Sequence, residues 1–147
     1  MIYVLYGQPA SGKTTLGKSL TEYLNTPFII DGDEFRGMFK NKDYSYGGRK
    51  KNIRAANAVA TYLTQANWLD QTSPPVVMSL VNPYKQFRNE LKEDNEGQVV
   101  DVFLHSDREL KKEYHVEDFD IGKPNHIICT DKDIEESWKE LKGLLRI

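Results

Sequence analysis

The chain has 147 residues, a length that suits one domain, residues 1–147, with one hydrophobic core. Its net charge is −2, which argues against a protein dedicated to nucleic-acid binding because such proteins usually carry a basic surplus. The presence of only one cysteine excludes an internal disulfide, and no apolar stretch approaches the ~20 residues needed to span a bilayer. We therefore expect a soluble, cytoplasmic protein without a membrane anchor.

Short apolar runs alternate with longer helical patterns along the chain. The apolar runs predict strands at residues 2–6, 27–30, 76–81, 99–104 and 125–129. Apolar residues at helical spacing predict helices at residues 13–24, 49–66 and 83–94, and in the segment after Asp131 or Asp133. Such alternation predicts an α/β fold of three layers, in which helices flank a mainly parallel five-stranded sheet. Ligands of such sheets bind beyond the carboxyl ends of the strands.

Residues 7–14 read GQPASGKT and match the pattern G-x-x-x-x-G-K-[ST] in full. Glycines let the backbone curl around a polyphosphate, and a helix that starts near Gly12 adds unpaired N–H groups. The Lys13 side chain should reach the β- and γ-phosphates of ATP, and Thr14 should ligate Mg²⁺. The motif predicts a P-loop NTPase fold with ATP and Mg²⁺ as cofactors. The residues predicted to bind the nucleotide are Gly7, Ala10, Ser11, Gly12, Lys13, Thr14 and Thr15.

Two carboxylates follow the second predicted strand, with Gly32 between them. They would repel a polyphosphate unless a cation or a proton transfer makes use of them. One interpretation is that Asp33 is a catalytic residue, together with Lys13, and accepts the proton of the acceptor hydroxyl, while Asp31 supports Mg²⁺ through water. The alternative is an Asp-Gly turn that caps a helix beginning near Glu34. Elsewhere the sequence has no convincing Walker-B aspartate, which favours a small-molecule kinase over motor or switch NTPases.

Three further segments continue the pattern. Residues 31–36 read DGDEFR, residues 44–54 read YSYGGRKKNIR, and residues 82–88 read NPYKQFR. In order and spacing, these segments and the P-loop resemble the adenylylsulfate kinase family. Members of that family use ATP to phosphorylate the 3′-hydroxyl of adenosine 5′-phosphosulfate. The resemblance implies a small-molecule nucleotide as the substrate, and it suggests a homodimer.

The resemblance also implies roles for individual side chains. Asp33 would orient or deprotonate the acceptor hydroxyl, and Tyr44 would stack on the adenine of the acceptor in place of the family's phenylalanine. Guanidinium groups suit the oxygens of a phosphosulfate, so arginines would hold that anion. The residues implied to bind the substrate are Asp33, Arg36, Tyr44, Arg49, Asn52, Val81 and Asn82.

The chain also departs from the family pattern. Asn82 replaces the serine before Pro-Tyr, and Gly48 replaces an acidic residue. The lid-like segment, residues 106–124, is shorter than the family's mobile lid, and a shorter lid would exclude water less well and admit other acceptors. The basic residues there that could cover the phosphates are Arg108, Lys111 and Lys112.

Two alternatives to this function follow from the sequence. A kinase for a nucleic-acid hydroxyl or a modified base would suit the short lid, although the net charge of −2 speaks mildly against nucleic acid. A catalytically lapsed nucleotide-binding protein is the other alternative. The acidic pair and Lys13 speak against it, because a lapsed site has no need of them.

Overall fold

The computed structural model describes residues 1–66, 73–107 and 115–147 of the chain. The strands are β1 (Ile2–Tyr6), β2 (Phe28–Asp31), β3 (Val76–Leu80), β4 (Val99–His105) and β5 (His126–Cys129). The helices are α1 (Lys13–Tyr23), α2 (Gly32–Met38), α3 (Tyr46–Gln65), α4 (Lys85–Asp94) and α5 (Ile134–Leu145). The three basic residues predicted to cover the phosphates, Arg108, Lys111 and Lys112, lie outside the described residues.

The five strands form one parallel sheet in the order β2-β3-β1-β4-β5. The central strand β1 pairs with β3 on one side and β4 on the other, so that Ile2 lies opposite both Val76 and Val99. A strand covered on both faces needs a continuous apolar run rather than an alternating one, and β1 reads IYVLY. The predicted α/β fold with a parallel five-stranded sheet is confirmed.

Helices cover both faces of the sheet because successive side chains of a strand point to opposite sides. Val4 of β1 belongs to the core cluster that includes Ala56 of α3 and Leu91 of α4. Leu5, the next residue, belongs to the other cluster, with α1 and α5. The predicted three layers follow from this alternation. Within the described ranges, no helix is both long and apolar enough to cross a bilayer.

Three helices begin at residues other than those predicted, two of them because of local caps. Helix α3 begins at Tyr46, three residues before the predicted start at residue 49, because the Ser45 hydroxyl accepts a hydrogen bond from the Gly48 backbone N–H. Asp31 ends β2 and caps α2, which therefore begins at Gly32. The predicted helix at 83–94 begins only at Lys85.

A buried carboxylate fastens helix α4 to the sheet. Asp101 of β4 is 3% exposed, and its Oδ1 accepts hydrogen bonds from the Lys92 ammonium group and the Asn125 backbone N–H, at 2.9 and 2.8 Å. Replacing Asp101 with alanine leaves these donors without their acceptor. We expect the D101A substitution to lower the free energy of unfolding by about 1–3 kcal/mol, measured by urea denaturation.

A matched control is E140A, which removes the acid of the exposed Lys132–Glu140 pair. Exposed ion pairs add little to stability because water and salt screen them. The urea midpoint of E140A should stay at the wild-type value. Equal midpoints for D101A and E140A would show that the buried carboxylate does not stabilise the fold.

Candidate active site

A cleft of about 1220 Å³ lies at the carboxyl ends of the central strands. One end of it is lined by residues that follow β5, among them Thr130, Ile134 and Ser137. The phosphate loop, the Asp31–Asp33 turn, the first turns of α3 and the segment after β3 line the rest of it. A parallel sheet places its strand ends along one edge, so chemically active residues from distant parts of the sequence meet there.

The loop between β1 and α1 has the backbone geometry of an anion cradle. Gly12 has φ 92°, a left-handed conformation that glycine adopts without steric cost, and no described side chain caps α1. The first N–H groups of the helix therefore remain available to a negatively charged ligand. Gly7 lies so close to β4 that a Cβ atom there would stand 2.2 Å from the Leu104 carbonyl oxygen. Only glycine fits this start of the loop.

The Lys13 ammonium group is held over this loop. Its Nζ donates to the Gln8 carbonyl oxygen at 2.9 Å and to the Ser11 hydroxyl at 3.4 Å. Burial lowers the pKa of Lys13 from 10.5 to about 8, although the carboxylates of Asp33 and Asp31 oppose the shift. A partly desolvated cation with only neutral hydrogen-bond acceptors is the counterpart of an incoming phosphate.

The acidic turn caps a helix, as the second interpretation of the sequence predicted, and it also lines the cleft. Asp31 Oδ1 accepts hydrogen bonds from the backbone N–H groups of Asp33 and Glu34, at 3.2 and 3.3 Å, and so caps α2. Its other oxygen accepts a 2.8 Å hydrogen bond from the Thr14 hydroxyl. Asp33 is exposed and lines the cleft. The two oxygens of Asp31 are thus engaged in hydrogen bonds, whereas the Asp33 carboxylate is exposed in the cleft.

The pair Thr14–Asp31 also fits a magnesium ion. Mg²⁺ in phosphate-binding sites takes one or two protein oxygens and completes its coordination with water and phosphate oxygens. Adjacent hydroxyl and carboxylate oxygens at the mouth of the phosphate loop meet that need. Among the described residues, no group of three or more histidine, cysteine, aspartate or glutamate side chains is arranged to hold a metal ion.

The cleft gathers every residue that the resemblance implied to bind the substrate. All seven line it: Asp33, Arg36, Tyr44, Arg49, Asn52, Val81 and Asn82. Arg49 is half-buried on the first turn of α3, and Asn52 is 8% exposed one turn further along. Of the residues predicted to bind the nucleotide, Ala10, Gly12, Lys13, Thr14 and Thr15 line the same cleft. Gly7 and Ser11 do not line it, and Ser11 is 2% exposed.

A family model described as adenylylsulphate kinase matches residues 1–119. The chain belongs to the adenylylsulphate kinase family. A search of curated protein sequences finds no match.

Solved structures of several kinases share the fold of this family member. The APS kinase CysC of Mycobacterium tuberculosis, in complex with AMPPNP and APS, superposes with a TM-score of 0.79 at 19% identity, over 99% of this chain and 97% of that one. A gluconokinase from Sinorhizobium meliloti 1021 gives 0.71 at 20% identity, over 98% and 91%. Shikimate kinase from Aquifex aeolicus gives 0.68 at 21% identity, over 99% and 96%. At these identities the likeness establishes the P-loop kinase fold.

Arg36 differs from what family membership alone suggests. It is 8% exposed, and its Nη1 donates to the Asn41 carbonyl and side-chain oxygens and to the Asp43 carbonyl, at 3.3, 3.2 and 2.8 Å. Its guanidinium carbon also lies 4.3 Å from the centre of the Tyr44 ring. Arg36 therefore shapes the turn that presents Tyr44 to the cleft. One face of that ring is covered by Arg36, while 61% of Tyr44 is exposed.

Three polar side chains at positions that the motif does not specify fix the phosphate loop of this family member. The Gln8 carboxamide donates to the Val116 carbonyl and accepts from the Val116 N–H, both at 2.8 Å. Thr130 donates to the Ser11 carbonyl at 2.9 Å, and Ser79 donates to the Lys13 carbonyl at 3.1 Å. Sequence reasoning missed all three. Only the positions of Ser79 and Thr130 at strand ends could have pointed to two of them.

Proposed function

We propose that this protein is an ATP-dependent kinase that phosphorylates the 3′-hydroxyl of adenosine 5′-phosphosulfate. The observation that carries the proposal is that one cleft holds a phosphate cradle, the Asp33 carboxylate and a set of cationic, amide and aromatic side chains suited to a second, anionic nucleotide. The family match over residues 1–119 supports the same acceptor. As part of this proposal the enzyme works in the cytoplasm in sulfate assimilation, while the homodimer stays a prediction.

The donor half of the proposed site is built from the phosphate loop. The Lys13 ammonium group and the first N–H groups of α1 bind the β- and γ-phosphates of ATP. The Thr14 hydroxyl, and Asp31 through water, would hold Mg²⁺, which when bound neutralises charge on those phosphates. Ser79 and Thr130 hold the loop in place while the phosphoryl group leaves.

The acceptor half orients the attacking hydroxyl. Arg49 supplies a guanidinium group for the phosphosulfate, and the open face of Tyr44 supplies a stacking surface for the adenine. Asp33 lines the same cleft, and we assign it to take the proton of the 3′-hydroxyl as the oxygen attacks the γ-phosphorus. Holding both reactants in line accounts for much of the catalysis of phosphoryl transfer.

An acceptor screen tests this function. ADP release is measured with ATP and Mg²⁺ and, one at a time, adenosine 5′-phosphosulfate, gluconate, shikimate and a 5′-hydroxyl oligonucleotide. The highest kcat/KM should belong to adenosine 5′-phosphosulfate. Turnover of another acceptor with none of this one would overturn the proposed substrate, and ATP binding without turnover of any acceptor would favour the lapsed-enzyme alternative.

ATP affinity should depend on pH through Lys13. In the free protein its pKa is about 8, and a bound triphosphate must raise that value because it favours the charged amine. Below this pKa the lysine is already charged and affinity is highest. As pH rises through about 8, binding has to take up a proton, so the dissociation constant should grow up to tenfold per pH unit.

Calorimetric titration of AMPPNP between about pH 7 and about pH 9.5, in two buffers of different ionisation enthalpy, measures this proton uptake. Uptake should reach half a proton per complex near the pKa of free Lys13. The control is K13R, whose guanidinium stays charged throughout and should bind without uptake. Uptake that is absent in wild type, or equal in K13R, would contradict the role of Lys13.

A further inference from the structure

Asn82 has an unusual backbone. It lies just beyond the carboxyl end of β3 with φ 45°, a left-handed conformation, although it precedes Pro83. Residues before proline favour extended conformations, and only glycine, asparagine and aspartate visit the left-handed region readily. Three hydrogen bonds hold this segment: Gly7 N–H to the Val81 carbonyl at 3.3 Å, Arg88 Nη1 to the Asn82 carbonyl at 2.6 Å, and Asp120 N–H to the Pro83 carbonyl at 2.8 Å.

The Asn82 side chain, like its backbone, is in an energetically unfavourable state. The residue is 1% exposed, and neither Oδ1 nor Nδ2 has a hydrogen-bond partner among the described residues or contact with solvent. A buried amide without partners destabilises a protein, so such groups are rare unless a function maintains them. Backbone strain and an unpaired amide at one residue, in the wall of the cleft, point to a ligand.

A second amide on the same side of the cleft shares this property. Asn52 of α3 is 8% exposed and its Oδ1 also has no partner within the described part of the chain. An amide oxygen can only accept hydrogen bonds. The unpaired Asn82 Nδ2 could donate to any of these groups. A sulfate or phosphate group would offer the two amide oxygens only further acceptor oxygens, whereas a hydroxyl or an amino group would donate to them.

We propose that Asn82 is a specificity-determining residue of the acceptor site, whose carboxamide turns toward the cleft and accepts a hydrogen bond from a hydroxyl or amino group of the acceptor. The inference rests on the proposed function, because it places the acceptor at this end of the cleft. The residue already lines the cleft, so this hydrogen bond requires the carboxamide to rotate about its side-chain torsions. The anionic group of the acceptor then belongs beside Arg49.

The variant N82G tests the assignment, because glycine tolerates the left-handed backbone and removes the amide. Its melting temperature without ligand should equal or exceed that of wild type, since the lost amide made no bonds. Its dissociation constant for AMPPNP should not change. For adenosine 5′-phosphosulfate, kcat/KM should fall about tenfold or more, the effect of one lost buried hydrogen bond. The matched control is N25G, the same substitution at an exposed asparagine with φ 51°, which should leave all kinetic constants unchanged.

Two acceptor analogues locate the donating group. In 2′-deoxyadenosine 5′-phosphosulfate a hydroxyl is missing, and in purine riboside 5′-phosphosulfate the amino group is missing. Wild type should discriminate against one of them about tenfold, and N82G should discriminate much less. Equal discrimination by both enzymes would overturn the assignment. A melting temperature of N82G well below those of wild type and N25G would also overturn it, because the side chain would then be holding the fold.

The two proposals can fail separately. A wild-type enzyme that does not phosphorylate adenosine 5′-phosphosulfate overturns the proposed function alone. The comparison of wild type with N82G is then made on dissociation constants for adenosine 5′-phosphosulfate, gluconate and shikimate, measured with AMPPNP present. Equal constants in wild type and N82G for each of these hydroxylated acceptors overturn the role of Asn82.

Discussion

Replacing Lys13 with methionine should lower kcat on the order of a thousandfold. Methionine keeps the length and apolar stem of the side chain but removes the cation that faces the phosphate loop. In a partly desolvated site this charge stabilises the transferring phosphoryl group far more than it would in water. Initial rates of ADP release at saturating ATP and acceptor measure the effect.

The matched control is K18M, one turn further along the same helix, where the lysine is exposed and does not line the cleft. K18M removes the same charge and should retain wild-type kcat. The thermal stability of K13M should stay close to that of wild type, since burial lowers the pKa of Lys13 and its charged form is the less favoured one in the fold. A kcat of K13M within a few-fold of wild type would contradict the assigned role of the phosphate loop.

The fold was predictable because its signals are local. Each strand of the sheet is a short apolar run, and β1 reads as continuously apolar because both of its faces are covered. The spacing of the glycines and lysine in residues 7–14 is sufficient to predict an anion cradle. Boundaries were less predictable, because capping by Ser45 and Asp31 depends on which of several polar residues reaches the free N–H groups.

The sequence indicated which residues line the cleft better than it indicated what each of their side chains contacts. All acceptor-side residues line the cleft, yet Arg36 has its Nη1 occupied by carbonyl oxygens of the following turn. Long-range partners leave no trace in local sequence: Gln8 and Val116 are joined by two hydrogen bonds but lie 108 residues apart. The left-handed backbone of Asn82 was equally invisible, since an Asn-Pro pair normally indicates an extended residue.

Replacing Asp33 with asparagine should lower kcat between about a hundredfold and about ten-thousandfold, the range for loss of a general base. We assign this role to Asp33 rather than to Asp31. Asp31 has one oxygen occupied by the cap of α2 and the other by the Thr14 hydroxyl. Asp33 is exposed in the cleft, so its carboxylate can reach an acceptor hydroxyl without breaking a helix cap.

The effect of D33N should be confined to kcat. Asp33 lies near Lys13, and its negative charge raises the pKa of that lysine. Removing the charge also removes repulsion of the triphosphate, so the dissociation constant for AMPPNP should stay the same or fall. E34Q, which neutralises the next and exposed acid outside the cleft, should keep wild-type kcat. If D33N turns over at the wild-type rate, proton removal must be assigned to another group, whereas a lower kcat accompanied by weaker AMPPNP binding would indicate that Asp33 supports the phosphate loop instead.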